Sequence, residues 1–240
     1  MADSRPDLEP RPEHHHRNVQ AGAARAAVFG ASDGLVSNVS LILGVAGADP
    51  SQGLVRVAGV AGLIAGAVSM AAGEYISMKA QQELLERELA IERREIDRNP
   101  NVEMVELSQL YQSRGIDPDV ARDMAKSIMA DPELALEVHA REELGIDPGE
   151  LGNPIGAALS SFGAFSVGAI VPLVPWFFGG GTGAIVASVI LGLVGALAVG
   201  AALAVATGRS VIRSATRQAL IAALAAGVTF AIGSLVGTEV

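Results

Sequence analysis

Five long runs of apolar residues, separated by short polar or charged segments, dominate the pattern of this chain. Each run has about 20 residues or more, the length that an α-helix needs to cross the hydrocarbon core of a bilayer. The runs are Ala24–Ala46, Val55–Met78, Pro154–Phe178, Thr182–Ala206 and Val211–Val236. The third and fourth runs contain no charged residue, which favours membrane spans over the buried core of a soluble helical protein. The pattern therefore predicts an all-α membrane protein with five transmembrane helices.

The polar pattern between the second and third runs is different. Residues 80–150 contain 18 Asp and Glu residues but 8 Lys and Arg residues. The charged run Gln81–Asp97 predicts that the second membrane helix continues into water. Three further helix starts are predicted where an Asx residue precedes proline, at Asn99-Pro100, Asp117-Pro118 and Asp131-Pro132, with glycine stops at Gly115 and Gly145. The predicted domains are a disordered cytosolic tail at 1–23, two transmembrane helices at 24–79, an acidic helical insert at 80–150 and three transmembrane helices at 151–240.

Composition and charge exclude several classes of function. The formal net charge of −9 disfavours nucleic acid and favours cations as partners. The absence of cysteine excludes disulfides, thiolate metal sites and thiol catalysis. No Walker loop and no His-Glu-x-x-His motif occurs. We therefore expect neither an enzyme nor a prosthetic group, and transport, if it is the function, must use an ion gradient or the gradient of the substrate itself.

Lys and Arg residues indicate how the spans are oriented, because they accumulate in cytosolic loops. The loops on one predicted side contain Arg17, Arg25, Lys79, Arg209, Arg213 and Arg217, and those on the other side contain Arg56. The N-terminus and the insert are therefore predicted to be cytosolic. Five spans then place the C-terminal Val240 outside.

Small residues and prolines within the spans predict how the helices pack. Small residues spaced four apart, at Gly62–Gly66 and Ala164–Gly168, permit close helix approach and suit either a tight bundle or a homodimer. Pro172 and Pro175 are predicted to kink or end the third span.

A possible ion path is indicated by polar side chains inside the first two spans. At roughly 1.5 Å per residue, Asp33 lies about 13 Å into the first span, and a carboxylate near the membrane midplane is usually functional. Met70 lies at a similar depth in the second span, and Met70, Glu74 and Met78 share one helix face. Asn38 is a weaker candidate. The structural alternative is that Asp33 bonds to nearby backbone and that Met70 belongs to the core.

Acidic residues of the insert occur in pairs three positions apart. These pairs are Glu83/Glu86, Glu92/Glu95 and Glu103/Glu106, and a further cluster consists of His139, Glu142 and Glu143. Facing pairs on adjacent helices can chelate a divalent metal. Such runs are also common on solvated surfaces, and a single histidine is usually not a ligand, so the spacing leaves both interpretations open.

Two motifs resemble a known family. Phe29–Asn38 (FGASDGLVSN) resembles the first helix of the vacuolar iron transporter family, and Ser69–Ser77 (SMAAGEYIS) resembles the end of its second helix. The five-span layout with a helical cytosolic insert is also similar. The resemblance implies a homodimer that exports Fe²⁺, and often Mn²⁺, from the cytosol in exchange for protons. It places the metal path between the first two helices at the dimer interface.

The resemblance also implies roles for individual residues. Asp33 and Met70 match family path residues, Glu74 and Met78 would form the cytosolic mouth, and the insert would bind metal through glutamates. Four early glutamates and one late glutamate match, at Glu92, Glu95, Glu103, Glu106 and Glu143. His139 and Ala140 stand where plant members have two methionines, so the imidazole of His139 would replace one thioether. Gly62 occupies an acidic position of the plant proteins.

Glu74 and the short N-terminal extension suggest a prokaryote-like member in the plasma membrane. Two other classes remain open at this stage. The chain could be a membrane-anchored metal sensor or buffer without transport, in which the spans act only as anchors. It could also be a membrane enzyme with a metal site in the insert, although no motif for a nucleophile or base supports that reading.

Overall fold

The computed structural model describes residues 22–49, 51–145, 147–149 and 151–237, with side chains from Arg25 onward. Nearly all of these residues are helical and none is in a strand. The five long apolar helices are α1 (Gly22–Gly47), α2 (Gln52–Arg98), α6 (Pro154–Leu173), α8 (Gly181–Thr207) and α9 (Val211–Gly237). The short helices are α3 (Pro100–Ser113), α4 (Pro118–Ile128), α5 (Pro132–Glu142) and α7 (Pro175–Phe178). The tail predicted to be disordered lies outside the described residues.

The five predicted spans are confirmed as helices long and apolar enough to cross a membrane. Helix α2 is much longer than its apolar part, because it continues through the charged run as one helix of 47 residues. The predicted continuation of the second span beyond the apolar run is therefore confirmed.

Helix α1 forms the centre of the bundle and contacts α2, α6, α8 and α9. Glycines allow its close approach to α6. A Cβ atom on Gly34 would lie 2.2 Å from the carbonyl oxygen of Phe165, and one on Gly168 would lie 2.3 Å from that of Ala31. In α2, the positions of Gly62 and Gly66 face α1 and α6 of the same chain. These small residues therefore serve packing within one subunit.

The predicted break in the third span is also present. Helix α6 ends at Leu173, one residue beyond Pro172, and Pro175 begins the single turn of α7. The Nε1–H of Trp176 donates to Ser188 Oγ at 3.0 Å, and that hydroxyl donates to the carbonyl of Pro172 at 2.7 Å. Gln52 donates to the carbonyl of Trp176. Side chains therefore hydrogen-bond to two carbonyl groups beside the break, one of Pro172 and one of Trp176.

Helices α3 to α5 follow the charged part of α2. Asp117 and Asp131 each accept backbone N–H groups at the start of α4 and α5, as predicted, whereas the side chain of Asn99 makes no capping bond. Gly115 and Gly145 have φ angles of 90° and 65°, the left-handed conformation expected where a helix stops. A small core formed by Leu107, Tyr111, Ala121 and Ala125 joins α3 and α4, with Val138 of α5 packed against it.

Candidate metal sites in the membrane helices and the insert

A cavity of about 280 Å³, open to the surface of the chain, lies among α1, α2 and α6. Its lining includes three of the predicted path residues, Asp33, Asn38 and Met70. Ser37 and Ser69 add two hydroxyl groups to the same surface. The structure therefore brings a carboxylate, an amide and a thioether from two helices to one polar cavity.

The orientation of Asn38 is fixed by α6. Its amide Nδ2 donates to the carbonyl of Ala169 at 2.6 Å, so the amide oxygen must point the other way. That oxygen is buried without a hydrogen-bond donor. It lies 3.0 Å from the position that a Cβ atom on Gly62 would occupy. A cation in the cavity would meet this acceptor without having to displace a hydrogen bond to it.

The predicted stripe Met70, Glu74 and Met78 lies on one face of α2, turned toward α1 and α6. Met70 packs near Phe165, and Met78 is buried against Ala26 and Ala157. Met78 thus belongs to a small hydrophobic cluster at the insert end of the bundle. The stripe connects that end of the bundle to the cavity.

Glu74 has a partner that sequence reasoning missed. Arg25 Nη2 lies 3.3 Å from Glu74 Oε2, and the Glu74 side chain is only 17% exposed. The positive charge of Arg25 therefore stands beside the middle residue of the stripe. A sequence contains no direct signal for this pair, because 49 positions separate the two residues.

Asp33 lies on the outer surface of this single chain, with Phe29, Ser37 and Leu41 on the same face of α1. Gly30–Gly34 also fits the pattern Gly-x-Ser-x-Gly, but it lies inside a continuous helix and not at a strand-to-helix turn, so it does not form a nucleophile elbow. A carboxylate near the middle of the membrane, such as that of Asp33, costs about 3 kcal/mol or more when it faces hydrocarbon. The face around Asp33 therefore requires a polar or protein covering.

The second site lies in the insert, where α2, α3 and α5 converge on His139. Its imidazole is completely buried, and Glu92 of α2 and Glu103 of α3 are each only 6% exposed. Arg93, the neighbour of Glu92, forms two hydrogen bonds of 2.7 Å with Glu133 at the start of α5. This exposed pair links α2 to α5 but contributes little to stability.

Two of the three distances from His139 to neighbouring carboxylates fit ligands of a common ion. His139 Nδ1 lies 3.1 Å from Glu92, 3.2 Å from Glu143 and 3.8 Å from Glu103. Two ligands of one divalent ion lie roughly 3.0–3.4 Å apart when each bond is about 2.1 Å. Glu92 Oε1 and both ring nitrogens of His139 are buried without a hydrogen bond to the described residues. Nδ1 of His139 and Oε1 of Glu92 thus face each other without a hydrogen bond between them, as two ligands of one ion would.

The electrostatics of this cluster favour a cation. Burial, followed by the negative charges of Glu143, Glu103, Glu95 and Glu106, raises the pKa of Glu92 from 4.5 to about 7. Burial and neighbouring carboxylates also raise the pKa of Glu103. Grouped carboxylates without a cation repel one another, and a divalent ion would remove that repulsion. Mixed imidazole and carboxylate ligands suit Fe²⁺ and related ions.

The predicted ligand set divides into three parts. Glu92, Glu103, His139 and Glu143 form the cluster, and Glu95 and Glu106 are exposed carboxylates close enough to raise the pKa of Glu92. Glu142 instead forms an ion pair with Arg114 of α3. The burial of His139 had no sequence signal, since it depends on α5 packing against α2.

Comparison with known proteins finds one matching family model and several similar proteins. The model of the VIT family matches residues 24–234. A vacuolar iron transporter of Acanthamoeba castellanii is 43% identical over 153 residues, which is 64% of this chain and 55% of that protein. Vacuolar iron transporter 1 of Tulipa gesneriana is 33% identical over 69% of this chain and 68% of its own length. Vacuolar iron transporter 1 of Arabidopsis thaliana is 30% identical over 96% of this chain and 94% of its own length.

Proposed function

Because the chain belongs to the VIT family, we propose that it exports Fe²⁺, and also Mn²⁺, from the cytosol in exchange for protons. Family membership confirms the resemblance seen in Phe29–Asn38 and Ser69–Ser77, and with it the predictions that this multi-pass membrane protein is not an enzyme and has no prosthetic group. The metal is cargo. The names of the similar proteins support iron as the substrate.

The polar cavity among α1, α2 and α6 carries this proposal. It offers oxygen ligands from Asp33 and Asn38 and a softer thioether from Met70, a mixture that suits Fe²⁺ and Mn²⁺. A metal and a proton compete for the same carboxylate, so binding of the metal releases a proton. This competition at Asp33 provides a simple route to exchange of metal for protons. Glu74, held by Arg25, and Met78 form the mouth of the path.

The exposed position of Asp33 supports a homodimer. A second copy would cover the carboxylate and its neighbours on α1 with the same face of its own α1, as in a twofold interface. Helix α2 also leaves apolar residues uncovered, including Val57, Ile64 and Val68. The ion path would then lie between the two subunits.

The insert would capture cytosolic metal at the cluster of Glu92, Glu103, His139 and Glu143. Glu92, Glu103 and His139 are buried and close together. Among the described residues, Glu92 Oε1 and the ring nitrogens of His139 form no hydrogen bond that a metal would have to break. The distribution of Lys and Arg supports a cytosolic insert. Location in the plasma membrane stays a prediction, since the named relatives are vacuolar.

Metal flux in proteoliposomes tests the proposal. With an imposed pH gradient, the purified chain should move Fe²⁺ and Mn²⁺ across the membrane in the direction opposite to the proton flow. Asp33→Asn should reduce that flux at least tenfold without changing the size-exclusion profile. Asp49→Asn is a matched control. It makes the same chemical change just after α1, at a residue with a φ of 54° that asparagine tolerates.

Three results would count against the proposal or part of it. Normal flux in Asp33→Asn would remove Asp33 from the path. Absence of flux under every gradient, with metal still bound by the insert, would favour the membrane-anchored sensor or buffer. Flux that ignores the pH gradient would retain transport but exclude proton coupling.

A further inference from the structure

The last three transmembrane helices carry an unusual distribution of charge. Residues 151–237 contain no Asp or Glu, and their three charged residues are Arg209, Arg213 and Arg217. All three line one cavity of about 500 Å³ where α8 turns into α9. Arg213 and Arg217 lie one helical turn apart on the same side of α9, and Arg209 lies in the connection just before that helix.

These arginines have no protein counter-ion within the described part of the chain. None of them forms an ion pair or a side-chain hydrogen bond there, and all three are exposed. The orientation of a span needs positive charge near its end but does not require three guanidinium groups around one cavity. A path for Fe²⁺ does not need them either, because they would repel the ion. The cluster therefore calls for an anion.

The surroundings indicate what kind of anion fits. Thr207, Ser210 and Ser214 add hydroxyl groups to the cavity. The flanking surface is apolar, since Val205 and Ile212 are 76% and 78% exposed beside the turn. The site thus combines a cationic, hydroxyl-lined pocket with apolar walls at the end of two membrane spans. A soluble anion would use the pocket alone, whereas a lipid would use both parts.

We propose that the α8–α9 turn binds the phosphate of an anionic phospholipid through Arg209, Arg213 and Arg217. Guanidinium groups bind phosphate oxygens in pairs of parallel hydrogen bonds. The acyl chains lie along the exposed apolar surface near Ile212. This site is separate from the ion path, and its occupancy does not depend on which metal the protein carries.

Native mass spectrometry of the full chain in detergent tests this site. The protein is exposed to an equimolar mixture of phosphatidylglycerol and phosphatidylcholine, and retained lipid is counted. Each arginine near a lipid headgroup contributes roughly fivefold to affinity, so exchange of all three for glutamine should weaken phosphatidylglycerol binding roughly a hundredfold. The matched control exchanges Arg87, Arg94 and Arg98 of α2, which are also exposed, for glutamine.

The expected result is selective retention of phosphatidylglycerol by the native chain and by the control, with loss in the α8–α9 triple variant. Exchange of the three arginines for lysine keeps the charge and should retain part of the binding, which distinguishes a lost site from a misfolded protein. Equal retention of both lipids by the native chain would overturn the proposal. Displacement of the lipid by inorganic phosphate at equal concentration would also overturn it, because the acyl chains would then contribute nothing.

Discussion

Replacement of Glu92 by glutamine should stabilise the metal-free insert and reduce the stabilisation that bound metal provides. The side chain is 7% exposed, and its pKa is raised from 4.5 to about 7. At 1.36 kcal/mol per pKa unit, that difference corresponds to about 3 kcal/mol. Because water reaches part of the cluster and its members titrate together, about 1–3 kcal/mol is the expected range.

The sign follows from the two protonation states. The folded chain holds the proton of Glu92 more tightly than the unfolded chain, so no penalty exists below pH 4.5. Stability then falls as the pH rises toward about 7, and the full penalty remains above it. Glutamine resembles the protonated acid in shape and has no charge. Without metal, Glu92→Gln should therefore stabilise the insert at pH 8 and leave it unchanged near pH 4.

Bound metal acts in the opposite direction. At a metal concentration one hundred times Kd, the native site gains about 2.7 kcal/mol of stability. A variant that binds a hundredfold more weakly would gain about 0.4 kcal/mol under the same conditions. A ligand residue thus lowers stability before the metal binds and adds stability when it binds, whereas a buried carboxylate that is not a ligand shows only the first effect.

Hydrogen–deuterium exchange of peptides from α3 to α5 measures both effects in the full chain, with and without Mn²⁺. Glu83→Gln provides the control, because Glu83 lies on the same helix, is 63% exposed and pairs with Lys79. It should change neither value. Lower stability of metal-free Glu92→Gln at pH 8 would refute the electrostatic reasoning, and unchanged protection by Mn²⁺ would exclude Glu92 as a ligand.

Three further outcomes are expected. The affinity of the insert for Mn²⁺ should fall about tenfold per pH unit below about pH 7, because protons then compete for Glu92. Paramagnetic resonance titrations at pH 8 and pH 6 measure this affinity, and equal values would contradict the prediction. Arg25→Gln should lower the half-saturating Fe²⁺ concentration for flux by roughly two- to fivefold, since it removes a partly exposed cation beside Glu74; an unchanged value would mean that Glu74 is not on the path. Gly34→Ala should destabilise the bundle by about 1–3 kcal/mol, because the added Cβ atom would overlap α6, and the melting temperature should fall. Gly73→Ala is the control and should leave the melting temperature unchanged, because its Cβ atom would have no other atom within 4 Å.

The sequence predicted the helices better than it predicted their contacts. The length of the apolar runs predicted the five spans, and the Asp-Pro pairs predicted the starts of α4 and α5, because both signals are local. The pairing of Glu142 with Arg114 was not predictable, since Glu142 and Glu143 are adjacent and only the packed helices give them different partners. The burial of His139 depends in the same way on α2, α3 and α5 meeting.

The length of α2 limits how the two candidate sites can cooperate. Met70 and Glu92 lie on one uninterrupted helix, and at 1.5 Å per residue they are roughly 33 Å apart. No glycine or proline occurs between Glu74 and Arg98 to let that segment bend. A metal held by Glu92 therefore cannot pass directly to the cavity of the same subunit while α2 stays intact. It must dissociate and diffuse, so under the proposed function the insert raises the local metal concentration and does not act as a relay. A site with that task needs rapid release more than tight binding, and the raised pKa of Glu92 serves this purpose because a proton can displace the metal near neutral pH.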